Sequence, residues 1–382
     1  MNKANAMVVA WLALGLAYPQ AFPAETAFGV PNRFHDEVLQ FRTLEAERVI
    51  VMENGGFWPT IALLQNGELA VIARTGAPHG VTRGGSQLAL TRSGDGGRTW
   101  SEPVGVAASR PNQDLRDGWL SQLKDGTLVL GFHIYEFDAQ GRADNQNVNV
   151  YLTQSKDLGR TWTVPSKIDI SPHTWGNTHS RIVELPSGTL LIHVATAYSH
   201  NPGRADIFRS PGDREFQSHV FRSKDGGKTW GDRSLISNGD ETGLLLLSSG
   251  KLLAAVRGEH GVSIHESVDE GRTWWNFGTA TESGEKPGSL LQLKDGRVLF
   301  SYGDRRLPFY GVQAMISRDE GKTWDRQNRF QLVWDAPTTD CGYPTSVQLP
   351  DGRIFTVYYQ VDDLKNSPAT AKARAVVWTV PS

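Results

Sequence analysis

Ser93-Gly94-Asp95-Gly96-Gly97-Arg98-Thr99-Trp100 decides the fold, because its pattern Ser-x-Asp-x-Gly-x-Thr-Trp returns along the chain. Further copies run from Ser155 to Trp162, Ser223 to Trp230, Ser267 to Trp274 and Ser317 to Trp324. Such a return marks an internal repeat. The residue types describe a tight turn: the Asp side chain bonds the turn backbone and the Gly takes positive φ, while the Trp anchors the loop. These aspartates therefore read as structural.

A second repeat shares the period. An alternating apolar run, then Leu-x-x-Gly, then another apolar run reads as two antiparallel strands around a turn. Its glycines are Gly67, Gly126, Gly188, Gly250, Gly296 and Gly352, spaced 46 to 62 residues apart. Thr345 to Leu349, then Pro350-Asp351-Gly352, then Arg353 to Tyr358 is one example. In most copies a further strand leads into the first repeat, as at Gln87 to Thr91 and Val148 to Thr153. Units of about four strands at this period are propeller blades. Six hairpins predict an all-β, six-bladed β-propeller over residues 25–382, with no linker that would mark a second domain. Solenoid stacking is the alternative, but no polar capping repeat is present. The sixth unit lacks the Ser-x-Asp pattern. Its outer strand is expected from Ala373 to Val380, or from the N-terminal segment Arg48 to Met52, which would close the ring.

Composition agrees. Forty glycines and twelve tryptophans in 382 residues suit many tight turns over many buried aromatics. The net charge of −2 gives no field that would favour nucleic acid. Cys341 is the only cysteine, so no intrachain disulfide forms, and it reads as a small buried side chain. No metal-ligand spacing appears, and no cofactor is called for. Lys3 precedes an apolar run from Ala6 to Ala17, too short for a membrane span. With small residues near Ala21 and Ala24, residues 1–24 read as a bacterial-type export signal, so the expected location is the periplasm or outside the cell.

The hairpin also serves as a ruler. A residue nine before each repeat Gly should face one seven after it. The pairs are Trp58 with Arg74, Asp117 with His133, His179 with Ala195, Glu241 with Arg257, Pro287 with Gly303, and Tyr343 with Tyr359. All stand at the same end of their blades, and Arg305 and Arg306 lie just past the fifth pair. Equivalent repeat positions normally carry apolar packing. Ionisable groups converging there instead point to a ligand site at the channel mouth.

The repeated Ser-x-Asp-x-Gly-x-Thr-Trp elements resemble the Asp-boxes of sialidase-like propellers (BNR repeats). That resemblance implies a tyrosine nucleophile paired with a glutamate, an aspartate acid/base, and three arginines that clamp a substrate carboxylate. Asp340-Cys341-Gly342-Tyr343 followed by Leu349 to Arg353 resembles the nucleophile region. Glu241 with Leu252 to Arg257 resembles the glutamate and one clamp arginine, and Arg305 or Arg306 another. A neutral phenol beside a base suits an anionic, oxocarbenium-like centre that would repel a carboxylate nucleophile. Arginines grip carboxylates through bidentate, charge-assisted bonds.

Two positions depart from the family pattern. Trp58, in Phe57-Trp58-Pro59-Thr60, stands where the family places its first clamp arginine, and Arg74 is the expected substitute. The loop from Thr75 to Ser86, where the acid/base aspartate is expected, holds no Asp or Glu; His79 and, in the next blade, Asp117 are the candidates.

Three readings follow. The first is an exo-sialidase-like glycosidase on a terminal acidic sugar, using Tyr343, Glu241, Asp117 or His79, and Arg74, Arg257 and Arg305. The second is a lyase or hydrolase of uronate polysaccharides, with His133 or His179 abstracting a proton. The third is a non-catalytic glycan-binding propeller with Trp58, Trp119 and Trp175 as stacking platforms.

Overall fold

The computed structural model describes residues 28–31, 38–42, 44, 46–197, 216–367 and 369–381. The expected export signal, residues 1–24, lies outside them. Apart from one 3-10 turn at Leu364–Asn366, the regular structure among the described residues is all β.

The strands group into six blades. The first runs Phe57–Leu63, Leu69–Thr75, Gln87–Ser93, Val104–Ala108 from the axis outward. The second uses Gln113–Gln122, Leu128–Phe137 and Ala143–Ser155, with Ser166–Lys167 on its edge. In the third, Trp175–Asn177 and Val183–Glu184 both pair with Leu190–Ala197, followed by Gln217–Ser223 and Gly231–Asn238. One parallel bridge, Val148 to Trp175, joins these two blades into a single sheet. The fourth comprises Thr242–Leu246, Leu252–Gly258, Gly261–Ser267 and Trp275–Thr279. Glu285–Gln292, Val298–Asp304, Gly311–Ser317 and Asn328–Val333 form the fifth, extended on its edge by Val38–Arg42 and Phe28–Pro31. The sixth is Cys341–Gln348, Ile354–Val361, Ala371–Trp378 and, last, Ala46–Met52.

Both segments expected as outer strands of the sixth blade are therefore used. The C-terminal one pairs with the second strand of its blade, and the N-terminal one adds outside it. Innermost strands touch where the first blade meets the second, the third the fourth, the fourth the fifth and the fifth the sixth, and that of the sixth packs on that of the first.

Blades stack face to face, so their middle strands are covered on both sides. Leu69–Thr75 and Val298–Asp304 are buried at every position, which removes the alternation a one-sided sheet would show. Ile61, Val71, Phe355 and Val357 share one apolar cluster between blades six and one. Each such side chain contributes about 1.5–3 kcal/mol by leaving water.

The Asp-boxes are the outer corners of these blades. In the first, Asp95 accepts from the Thr99 hydroxyl at 2.6 Å, the Thr99 and Arg98 amides at 3.0 Å, and the Ser93 hydroxyl at 2.7 Å. Trp100 Nε1 closes the turn on the Gly97 carbonyl at 3.1 Å. The Thr99 hydroxyl, then its amide and Ser93, hold the carboxyl well below the usual aspartate value. The aspartate is consumed by its own turn, as its repetition predicts.

Candidate functional site

At the mouth lies a cavity of about 660 Å³ to which every blade contributes. The first supplies Trp58 and His79, the second Arg116, Asp117 and His133, and the third Asn177. Asp240, Glu241 and Arg257 come from the fourth, Arg305 from the fifth and Tyr343 from the sixth.

The hairpin ruler needs one correction. Arg74 faces Phe57, His133 faces Arg116, and Tyr359 faces Gly342, each one residue away from the expected partner. The cause is a β-bulge in each of these three blades; the fifth blade bulges too, between Glu285 and Gly288, so the expected pair of Pro287 with Gly303 also falls in a bulge. In the three, register shifts between Phe57 and Thr60, between Arg116 and Trp119, and between Gly342 and Thr345. Within each of these three bulges one residue takes left-handed backbone: Trp58 at φ 48°, Asp117 at 49° and Tyr343 at 52°. A residue with a Cβ pays on the order of 1–3 kcal/mol for such a conformation, and such strain collects at sites. In the third blade Asn177 faces Ala195, so His179 lies past the paired strand. In the fourth, Thr242 faces Val256, and Glu241 and Arg257 stand next in line as expected.

Tyr343, Glu241 and Arg257 meet. The Tyr343 hydroxyl donates to Glu241 Oε1 at 2.7 Å, and Arg257 Nη1 lies 3.3 Å from that hydroxyl. Arg257 also bonds Glu241 Oε2 directly. Burial would raise the Glu241 carboxyl, but Arg257, His179 and the phenol outweigh it and hold the group below the usual range. Burial, then the charge of Glu241, pushes the Tyr343 phenol far up, so it is neutral at any ordinary pH.

Two expected arginines are elsewhere. Arg74 is fully buried and its fork is spent on Asp114 at 2.6 Å and on the carbonyls of Leu115, Ala77 and Pro78. It pins the loop that carries His79 and does not line the cavity. Arg306 is held by Asp304, Glu282 and Glu285 in an ion-pair cluster that Arg329 joins, also away from the cavity.

Arg116, not Arg74, lines the cavity. Its guanidinium carbon lies 4.6 Å from the centroid of the Trp58 ring, and Nη2 donates to the His79 carbonyl at 2.6 Å. Reading Asp117 as the bulge residue would have turned attention to Arg116, but nothing in the repeat announces which residue bulges. Arg305 donates to the Cys341 carbonyl at 3.0 and 3.1 Å and lies over the Tyr343 ring at 5.3 Å. Among the described residues neither Arg116 nor Arg305 makes a direct ion pair, so two guanidinium groups line the cavity with no carboxylate in contact.

The opposite wall is polar and short of partners. Burial, then Glu241, raises the Asp117 carboxyl to about 7 against the pull of Arg116 and Arg74. Its Oδ2 lies 3.7 Å from His133 Nδ1, while Asp117 Oδ1, His133 Nδ1 and Asn177 Oδ1 have no hydrogen-bond partner. Burial drives His133 far down and His179 to about 4. His179 is wedged between Trp119 at 4.5 Å and Tyr343 at 5.2 Å. Trp119 does not line the cavity; Trp58 and Trp175 do, but both are almost fully covered, and the Trp58 ring carries the Arg116 guanidinium. His79 is the partly exposed imidazole of the rim, its Nδ1 2.6 Å from Asp340 Oδ1. Cys341 is buried, and burial raises its thiol to about 11, which fits an inert side chain.

A six-bladed Asp-box propeller with a tyrosine–glutamate pair and arginines at its mouth is a sialidase-like propeller. The chain belongs to the BNR repeat-like domain family, which matches residues 80–356. It is 26% identical over 340 residues to a sialidase of Micromonospora viridifaciens, an alignment covering 78% of this chain and 49% of that protein. The chain thus spans about half the length of that curated relative. Among solved structures, a protein of unknown function from Dyadobacter fermentans superposes with a TM-score of 0.71 at 25% identity, covering 88% of this chain and 98% of that one. An intramolecular trans-sialidase from Ruminococcus gnavus gives 0.60 at 13% identity, covering 84% and 94%. The latter likeness concerns the fold.

Proposed function

We propose that the cavity binds a terminal sugar acid and cleaves its glycosidic bond with retention, as an exported sialidase-like glycosidase. The carrying observation is the 2.7 Å bond from Tyr343 to Glu241 beside the unpaired guanidinium groups of Arg116 and Arg305. Arg116, Arg257 and Arg305 hold the substrate carboxylate. Tyr343 attacks the anomeric carbon and passes its proton to Glu241 during bond formation, because the phenol is too weak an acid to ionise beforehand. Two groups are placed to protonate the leaving oxygen: Asp117, neutral below about pH 7, and His79.

The lyase reading is less favoured. A base for a carbon-bound proton needs basicity, and burial takes that from His133 and His179. The platform reading fares no better, since the three tryptophans are buried.

The test is a panel of fluorogenic glycosides of sugar acids, sialosides first. Tyr343→Phe and Glu241→Gln should each lower kcat by roughly 10³-fold or more with unchanged thermal melting. Wild-type rates in both variants would reject the pair as nucleophile and base. Export is tested by sequencing the N-terminus of protein recovered from periplasm and medium, which should begin near residue 25.

A further inference from the structure

Three side chains hold the loop that bears His79. Arg74 takes the Ala77 and Pro78 carbonyls, Arg116 takes that of His79, and Asp114 Oδ2 accepts the Thr82 amide at 3.0 Å. The imidazole itself stands edge-on to Trp58 at 5.0 Å and to Phe57 at 6.0 Å. A loop residue on a propeller rim needs no such fixing unless the position of its ring matters.

The ring is also oriented by a carboxylate from the adjacent sixth blade. Asp340 stands one residue before the strand that carries Tyr343. Its Oδ1 lies 2.6 Å from His79 Nδ1 and accepts from the Tyr359 hydroxyl at 2.6 Å. Burial would raise the Asp340 carboxyl, but His79, Tyr359 and the nearby Arg305 outweigh it and keep it below the usual value. An anion there requires the proton on Nδ1, which leaves Nε2 of this cavity-lining residue to exchange a proton. Asp117, by contrast, is a buried carboxyl whose Oδ1 has no bond to orient it.

We propose that His79 is the acid/base group of this site, with Asp340 its positioning residue and Tyr359 a second brace on the carboxylate. The proposal rests on the glycosidase reading above. In the first step His79 Nε2–H⁺ gives its proton to the glycosidic oxygen as the bond from that oxygen to the anomeric carbon breaks. Tyr343 forms its bond to the same carbon and its proton moves to Glu241. In the second step a water oxygen attacks that carbon and its proton returns to Nε2. The tyrosyl–carbon bond breaks and Glu241 restores the phenol proton. One water is consumed and every group is returned to its starting state. Asp117 is then left to bind substrate oxygen as a neutral carboxyl.

Two measurements test this, one without any substrate. Long-range ¹⁵N–¹H correlation on histidine-labelled protein should find the neutral form of His79 with its proton on Nδ1, and Asp340→Asn should shift it toward Nε2. A neutral ring in the wild type with its proton on Nε2 and a bare Nδ1 would overturn the dyad. The second compares an aryl glycoside with an alkyl glycoside of the same sugar acid. His79→Ala should lose roughly 10²- to 10⁴-fold in kcat/KM on the alkyl substrate and much less on the aryl one, because a good leaving group needs no proton in the first step. Azide should restore part of the aryl rate. Asp340→Asn should show the same leaving-group dependence with little change in KM, and Tyr359→Phe a weaker one. If Asp117→Asn carries that dependence instead, the assignment is wrong. If the wild type hydrolyses no acidic glycoside, the glycosidase reading fails, and the tautomer still decides whether Asp340 orients His79.

Discussion

Tyr343 and Glu241 sit in opposed environments. Burial keeps the phenol neutral, whereas Arg257 keeps the carboxylate charged, so in the proposed reaction a proton would cross the 2.7 Å between them only as a bond to carbon forms. Asp117 carries the reverse lesson, a carboxyl left without a counter-ion within bonding reach. Its raised value means that the folded protein keeps a proton which the unfolded chain releases above the ordinary value of 3.8. Stability should therefore fall as pH rises from 3.8 to about 7 and then level off. Asp117→Asn removes that dependence. Its advantage over the wild type should widen across this window to on the order of 4 kcal/mol and then stay constant, as read from urea midpoints at several pH values. A constant offset from pH 4 to pH 8 would contradict the raised carboxyl. Of the candidates named from sequence, Trp58, His79, Asp117, His133, Trp175, Glu241, Arg257, Arg305 and Tyr343 line the cavity; Arg74, Trp119, His179 and Arg306 do not. Arg74 was misplaced because its buried partner, Asp114, is 40 positions away and nothing local marks it.

The hairpin and the Asp-box were legible because each is local. Ser93, Asp95, Gly97, Thr99 and Trp100 satisfy one another within eight residues, and every copy repeats the arrangement. The bonds that depress Asp95 should stabilise the fold above pH 3.8 and fade as pH falls below it. Asp95→Ala should thus lower Tm at pH 7, with the gap to wild type narrowing in acid. A gap that does not change with pH would show that the carboxylate charge does not matter to the turn. The bulges were not legible. Trp58-Pro59, Asp117-Gly118 and Tyr343-Pro344 share no residue type at the strained position, so no propensity marks them. Their positive φ is imposed by packing at the mouth. A single extra residue then shifts which side chain points to the axis.

The ring is closed by strand pairing between its two ends. Ala46–Met52 pairs with Ala371–Trp378, and Val51 and Met52 are buried in the cluster shared by blades six and one. Met52→Ala should cost about 2–5 kcal/mol. Because the closing strand belongs to one circuit, the loss should appear in calorimetry as a lower Tm for a single transition. A separate early transition for the sixth blade would argue against a cooperative ring. Arg181 adds a tie across the axis, reaching from the third blade to the carbonyls of Ile61 at 2.8 Å and Ser346 at 2.9 Å.

Repeats at one period, turn chemistry and apolar runs dictated six blades, because each blade's inner hairpin is built from contacts between neighbours in the chain. The same periodicity pointed to one end of the hairpins as the place for chemistry. Which side chains meet there was settled by bulges, by the closure that seats Tyr343 beside Glu241, and by the approach of Asp340 to His79 across 261 positions. Those distances are set by how the blades stack around the axis, and no stretch of chain carries that information on its own.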